Sequence, residues 1–451
     1  MTRPTKLFHP ILILKLTFLV LLTACSVIDT GSRSIQPTAR AATITERFEN
    51  KLAETLLHLA FQDISNADAS EKLIVIDSHR HKLKQSLDET KLSAGSRLQL
   101  RLLEYLRQSE RNRAGASVAL SYEEMLRRET SYSPNLADFE NEAYARLSTA
   151  HARIRKLAQP DNQLPIETLF RAMREDHENY LPNTDAGRQE YLNLIVTSLL
   201  AIGKLTPSLV DPALIGAGID SSEIGSTEFT VEGVENDPGR TFSYRANNKV
   251  FSIDLGDMSQ LPLFETESVA TYYGMPGMYA MSSRPLLKIQ SMISIPRYSE
   301  GWAVYLTANL ADLPDFQRSA LSLLYFEAMT ISLAIADMHI HTDNWSETKA
   351  LEFASASSPY PVKRLQKSIQ ITRKIPGTFS APLLVRMRLE ELREQSKQIL
   401  KQNFDLNEFH NTVLKPGPLP FIELERLVKD WINRKMMPDH PERKRLNQLQ
   451  L

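Results

Sequence analysis

Thr45-Glu-Arg-Phe48-Glu-Asn-Lys-Leu52-Ala-Glu-Thr-Leu56-Leu-His-Leu59-Ala-Phe-Gln-Asp-Ile64 spaces its apolar residues three to five positions apart, with charged side chains between them. That spacing predicts an amphipathic helix, because only a period near 3.6 returns such residues to one face. The same texture recurs from about Glu71 to Leu87. It returns from Ser96 to Arg113, where Leu98, Leu100, Leu102, Leu103 and Leu106 stand among Arg and Glu. Asn135 to Leu157 and Leu164 to Tyr180 read alike, and Glu190 to Ile202 is more apolar and so more deeply buried. None of these segments sustains a two-residue alternation, and no fixed repeat period is present. Residues 44–203 are therefore expected to form a helical bundle or array.

Near Lys204 the texture changes. Pro207, Pro212, Gly216, Gly218, Gly225, Gly233, Pro238 and Gly239 crowd a short region, which predicts loops or a boundary. Within it, Phe242-Ser-Tyr and Val250-Phe-Ser-Ile-Asp can form a short hairpin or edge pair. Helical patterns resume at Glu265 and run to Arg434, so residues 204–437 make a second helical region and residues 438–451 a polar tail. The expected fold class is mostly α, with a few short β-strands near residues 240–255.

Composition agrees with this. The 451 residues include only 16 Gly, which disfavours a Gly-rich nucleotide-binding sheet. Hydrophobic residues make up 42% and charged residues 24%, values of a globular chain that exclude general disorder. The 53 Lys plus Arg against 54 Asp plus Glu give a net charge of −1, with no electrostatic footprint for nucleic acid.

The single Cys excludes an intrachain disulfide and a Cys-based zinc site, and its position is informative. Residues 1–24 carry Arg3, Lys6 and Lys15 but no acid, and an apolar run from Ile11 to Leu22 leads into Leu22-Thr23-Ala24-Cys25. A basic start, a short apolar stretch and small residues before a cut make a secretory signal. The last four residues resemble a bacterial lipobox, in which Cys25 becomes the lipidated first residue of the mature chain. Ser26, where retained lipoproteins carry Asp, resembles the outer-membrane sorting pattern. The expectation is a signal peptide over 1–24, a flexible tether over 25–43 and a soluble body on the periplasmic side, with no second spanning segment. Its partner is then the membrane, through the acyl chains on Cys25.

Several generic sites fail on chemistry. Gly216-Ala-Gly218 lacks the third glycine of a dinucleotide turn, and neither a Gly-x-Ser-x-Gly elbow nor a phosphate loop occurs. His79-Arg-His81 and His339-Ile-His341 diverge by about 200° on a helix, so neither pair chelates readily. His177-Glu178 has no second His four or five residues on, which excludes a zincin helix.

A more specific segment is Ser299-Glu300-Gly301-Trp302-Ala303-Val304-Tyr305. From its chemistry alone, Glu300 is either a metal ligand or a buried hydrogen-bonded carboxylate, and Trp302 and Tyr305 are equally consistent with core. With its flanks, the segment resembles the bacterial domain-of-unknown-function 885 family, whose members are largely helical, often lipoproteins, and similar to zinc peptidases. Pro238-Gly-Arg-Thr-Phe242 resembles the strand motif ahead of that family's active-site helix. Asp337-Met-His-Ile-His341 with Trp345 resembles its Asp-x-Gly-x-His…Trp segment, and Lys374-Ile-Pro376-Gly377 its Trp-Pro-Gly. Phe404-Asp-Leu-Asn-Glu-Phe409-His410 and Leu414-Lys-Pro-Gly417-Pro-Leu-Pro420 resemble its C-terminal run.

The resemblance implies a large helical peptidase-like fold, and it also implies a loss. The family's hallmark helix reads His-Glu-Ala-x-Pro-Gly-His: two His ligands and the Glu of Glu-Gly-Trp hold the metal, and the first motif's Glu is the base. Here the segment reads Tyr272-Tyr273-Gly274-Met275-Pro276-Gly277-Met278. Tyr272 and Met278 stand at the His positions and Tyr273 at the base, and Pro382 falls where the family tends to carry a Tyr. A phenol and a thioether are poor donors for zinc. Without metal and base, no water is activated. Tyr272, Tyr273, Met278, Glu300, Trp302, Tyr305, Asp337 and His341 are thus expected to form a degenerate site without a cofactor, in a protein acting as a binding or assembly module for a protein or peptide ligand. The alternative is a metal-dependent hydrolase using a non-standard zinc site.

Overall fold

The computed structural model describes residues 44–68, 70–114, 120–158, 164–211, 229–235, 240–282, 286–293 and 295–436. The lipobox with Cys25, the tether over 25–43, Gly216-Ala-Gly218, Pro238-Gly239 and the tail over 438–451 lie outside these residues. The chain divides into two compact units, residues 1–40 and 41–451, and every described residue belongs to the second.

The helices follow the apolar spacing. In the first half they are α1 (Ile44–Asn66), α2 (Lys72–Ser86), α3 (Ala94–Ala114), α4 (Tyr122–Thr130), α5 (Leu136–Ala158), α6 (Ile166–Glu175) and α7 (Asp185–Leu205). The phase of α1 departs from the first-sight stripe: Ala53, Leu57, Ala60, Phe61 and Ile64 face inward, while Phe48 is 63% exposed. α4 starts with a capping box, in which the Ser121 hydroxyl accepts from the Glu124 N–H and the Glu124 carboxylate accepts from the Ser121 N–H.

The expected short strands are present, and a third joins them. β1 (Thr230–Val234), β2 (Phe242–Arg245) and β3 (Val250–Asp254) form one sheet in the order β1-β3-β2. β2 and β3 are an antiparallel hairpin with Phe242 opposite Ile253, and β1 pairs with β3 in parallel. Thr230-Val-Glu-Gly-Val234 lies ahead of the expected region because a Gly interrupts its apolar residues amid loop-like sequence. The central strand β3 is buried from Val250 to Ile253, as a strand covered on both faces must be.

After the sheet come α8 (Thr266–Tyr273), α9 (Met278–Ser282), α10 (Lys288–Met292), α11 (Tyr298–Leu310), α12 (Ala320–Thr342), α13 (Glu347–Ser357), α14 (Val362–Lys374), α15 (Ser380–Leu400), α16 (Leu406–Leu414) and α17 (Phe421–Met436). α12 is the axis of the larger core and packs against α5, α8, α11, α13, α14 and α15. It is also the one helix among the described residues that is long and apolar enough to cross a membrane. Its length and its mean hydropathy of 1.4 would suffice to cross a membrane, yet 94% of that stretch is buried inside the protein. A smaller core gathers α1, α2 and α3 with Ile289 and Leu419.

Candidate functional site

One cavity opens where the sheet meets the helices. Its empty space is about 1130 Å³, part of it continuous with solvent. Arg240, Phe242 and Tyr244 come from β2 and its approach, Tyr272 and Tyr273 from the end of α8, and Met278 from the start of α9. Glu300 and Val304 on α11, Phe326 to Leu333 on α12, Arg364 to Ile371 on α14, and Phe379 to Leu383 around the start of α15 complete the wall. Four of the eight residues of the expected site therefore share this cavity: Tyr272, Tyr273, Met278 and Glu300.

α11 reaches the cavity because Gly301 lets it approach α15 closely, and a Cβ at that position would overlap the Val385 side chain. Tyr272 meets Tyr273 edge-on at 4.8 Å between ring centroids and lies 5.2 Å from Phe326. Tyr273 stacks on Phe251 at 4.7 Å, and its hydroxyl donates to the Phe242 carbonyl at 3.5 Å. Burial pushes the Tyr272 phenol well above its ordinary pKa, helped by the Glu300 charge, and pushes Tyr273 up to about 12. Both rings are neutral phenols at physiological pH. Glu300 does not meet His341. Both of its oxygens lie 2.9 Å from Nη1 of Arg297, whose Nε is 3.6 Å from Glu129.

The other four residues form the frame behind the wall. The Trp302 indole N–H donates to the Pro276 carbonyl at 2.9 Å, which ties α11 to the Pro-Gly turn between α8 and α9. The Tyr305 hydroxyl is 2.9 Å from Nε2 of His410, whose Nδ1 lies 2.9 Å from the Leu209 carbonyl. That carbonyl can only accept, so Nδ1 carries the proton and Nε2 accepts from the phenol. Burial holds the neutral ring in place by lowering the His410 pKa to about 4. Asp337 is fully buried and accepts the N–H groups of Gly377 (3.0 Å), Phe379 (2.9 Å) and Ser380 (3.1 Å), capping α15 from inside the core. Gly377 makes this possible by adopting φ +81°, open to a residue without Cβ. His341 stacks on Tyr122 at 5.6 Å, and its Nε2 reaches the Thr372 carbonyl at 3.0 Å.

Sequence reasoning missed the charged residues that surround the phenols. Arg364 is buried against Glu265, which also accepts from the Tyr191 hydroxyl at 3.2 Å. Its guanidinium lies 4.8 Å from the Phe242 ring centroid. Lys367 and Arg240 also line the cavity. Arg364 and Lys367 read as ordinary polar positions of an amphipathic helix, and Arg297 lies just outside the quoted segment. The only signal available was the three-residue spacing of Arg364 and Lys367, which puts them on one face. Among the described residues, no three His, Cys, Asp or Glu side chains gather closely enough to hold a metal ion.

Fold and cavity together define a mostly helical protein built around one long buried helix, with a small sheet and an aromatic pocket beside it. The family described as "Bacterial protein of unknown function (DUF885)" matches residues 32–428, and the chain belongs to that family. The fold is shared with a candidate lipoprotein from Colwellia psychrerythraea, at TM-score 0.58 and 18% identity over 86% of this chain and 72% of that one. A candidate lipoprotein of unknown function from Shewanella oneidensis is similar at TM-score 0.53 and 12% identity, over 85% and 72%. No curated protein matches the sequence.

Proposed function

We propose that this chain is a lipid-anchored protein of the bacterial envelope, facing the periplasm from the outer membrane, that uses its cavity to bind rather than to hydrolyse. The observation that carries this reading is the donor chemistry of the pocket. A catalytic zinc needs three nitrogen, oxygen or sulfur ligands and one open position. The residues at the resembled ligand positions are a neutral phenol and a thioether, and the remaining carboxylate, Glu300, is held by Arg297. That set does not fit zinc. The resembled base position holds Tyr273, whose raised pKa leaves it unable to take a proton from water. Anchoring through Cys25 is supported by the lipobox and agrees with the candidate lipoproteins that share the fold.

The test is the metal content and activity of the full-length protein purified without chelators. The expected result is well below one equivalent of zinc and no peptide or ester hydrolysis traceable to this pocket. Stoichiometric zinc, removed by chelator together with an activity that Glu300→Gln also abolishes, would establish the hydrolase instead. Replacing Tyr272→His, Tyr273→Glu and Met278→His together should raise zinc affinity. Adding Arg297→Gln should raise it further by freeing Glu300.

A further inference from the structure

We propose that the cavity binds an organic anion with an apolar body, of which an arylalkyl carboxylate is the simplest form. This rests on the binding-module reading and names the ligand class. Four charged side chains line the cavity: Arg240, Glu300, Arg364 and Lys367. Two of them are neutralised from within the wall, Glu300 by Arg297 and Arg364 by Glu265. Arg240 and Lys367 have no acidic partner among the described residues, so the pocket retains two positive charges.

Their placement makes the charge usable. Lys367 follows Arg364 by three residues on α14, so both project from one face into the same space. Arg240 stands two residues ahead of β2, and its charge bears on both phenols. The Tyr272 hydroxyl has no hydrogen-bonding partner among the described residues and, remaining protonated, offers an O–H to an acceptor. An anion therefore finds two cations and a neutral donor. A cation would find only Glu300, already engaged. Apart from the hydroxyl residues Thr241, Thr330, Ser368 and Thr378, the rest of the lining is apolar or aromatic, with Tyr244, Phe326, Met329, Leu333 and Phe379 available to an apolar body. A partly enclosed pocket of this kind strengthens the attraction by excluding water around the bound charge.

The experiment is isothermal titration of the full chain held in nanodiscs of zwitterionic lipid, with empty nanodiscs as the blank. The probes are hydrocinnamate, its uncharged twin hydrocinnamyl alcohol, and acetate. Hydrocinnamate should bind at least about tenfold tighter than the alcohol, the size of a charge-assisted contact. It should also exceed acetate by a similar factor. Lys367→Ala and Arg240→Ala should each weaken it about tenfold, and Lys367→Arg should retain most of the affinity. Equal affinity for acid and alcohol, equal affinity for acetate, no binding of any probe, or indifference to both alanine variants would each overturn the assignment. The zinc measurement is separate: an absence of probe binding with low zinc removes only this inference, whereas stoichiometric zinc removes the reading beneath it.

Discussion

Replacing Asp337 by alanine tests whether this residue is part of the frame or of the pocket. The carboxylate is fully buried and accepts three N–H groups at 2.9 to 3.1 Å, those of Gly377, Phe379 and Ser380. Alanine leaves all three without a partner at the first turn of α15, a helix that packs against both α11 and α12. A buried donor left unsatisfied costs about 1–3 kcal/mol, and three neighbouring donors partly share the relaxation, so the expected loss is about 3–6 kcal/mol. Against a typical stability of about 5–15 kcal/mol, that is a large fraction. Asp337→Asn keeps one acceptor oxygen but turns an amide N–H₂ toward the other donors, and should lose about 2–3 kcal/mol. Urea unfolding followed by far-UV circular dichroism measures both variants. A loss below about 1 kcal/mol for Asp337→Ala would refute the capping role, because three buried donors would then have lost their acceptor for less than the usual cost of one.

Further tests address other levels of the structure. Cys25→Ser should release the protein from the membrane fraction, and a variant that still pelleted and resisted alkaline wash would place the anchor elsewhere. His410 is buried neutral with its pKa lowered to about 4, so the folded state binds fewer protons than the unfolded state between pH 4 and about 6.5. Its contribution is complete above about pH 6.5 and is lost as pH falls toward 4, with a slope of up to about 1.4 kcal/mol per pH unit. His410→Gln should flatten unfolding-against-pH curves in that window, and an unchanged slope would contradict the buried neutral ring. Gly301→Ala should cost about 1–3 kcal/mol by overlapping Val385. Val385→Ala in the same chain should recover part of that loss, and a double-mutant cycle with no coupling would show that the close approach is not what constrains the position.

The dominance of helix was legible because apolar spacing near 3.6 reports burial directly. The phase of α1 was not. Leu56, Leu57, Leu59, Ala60 and Phe61 crowd adjacent positions, so more than one stripe satisfies the same spacing, and only the neighbouring α2 and α3 select Leu57 and Phe61. β2 and β3 announced themselves as short aromatic and β-branched runs, whereas β1 is a strand chiefly because β3 offers it an edge. In the site, the order of motifs was readable, but not what joins them. Trp302 reaching Pro276, Tyr305 reaching His410 and Asp337 reaching Gly377 each link segments far apart in the chain. The cavity's positive lining was the least legible part: Arg240 and Lys367 carry no mark in sequence that separates them from solvated surface charge.

The long apolar helix α12 sets a sorting problem that the finished fold conceals. On the proposed route to the envelope, the chain crosses the inner membrane unfolded. A run from Ala320 to Thr342 with hydropathy sufficient to span could then stop in the bilayer. Two acids inside that run oppose such arrest. An ionised side chain near the middle of an inserting helix costs about 2.5–3.5 kcal/mol, and less toward its ends. Glu327 and Asp337 later disappear from solvent, the first against Arg386 and the second against the N–H groups that begin α15. On that route the same two carboxylates would mark the segment as cargo while the chain is extended, and in the folded protein they lock it into the core. Neutralising both would leave the native contacts short of partners and would also offer the translocating chain a second anchor, in competition with the lipid proposed on Cys25.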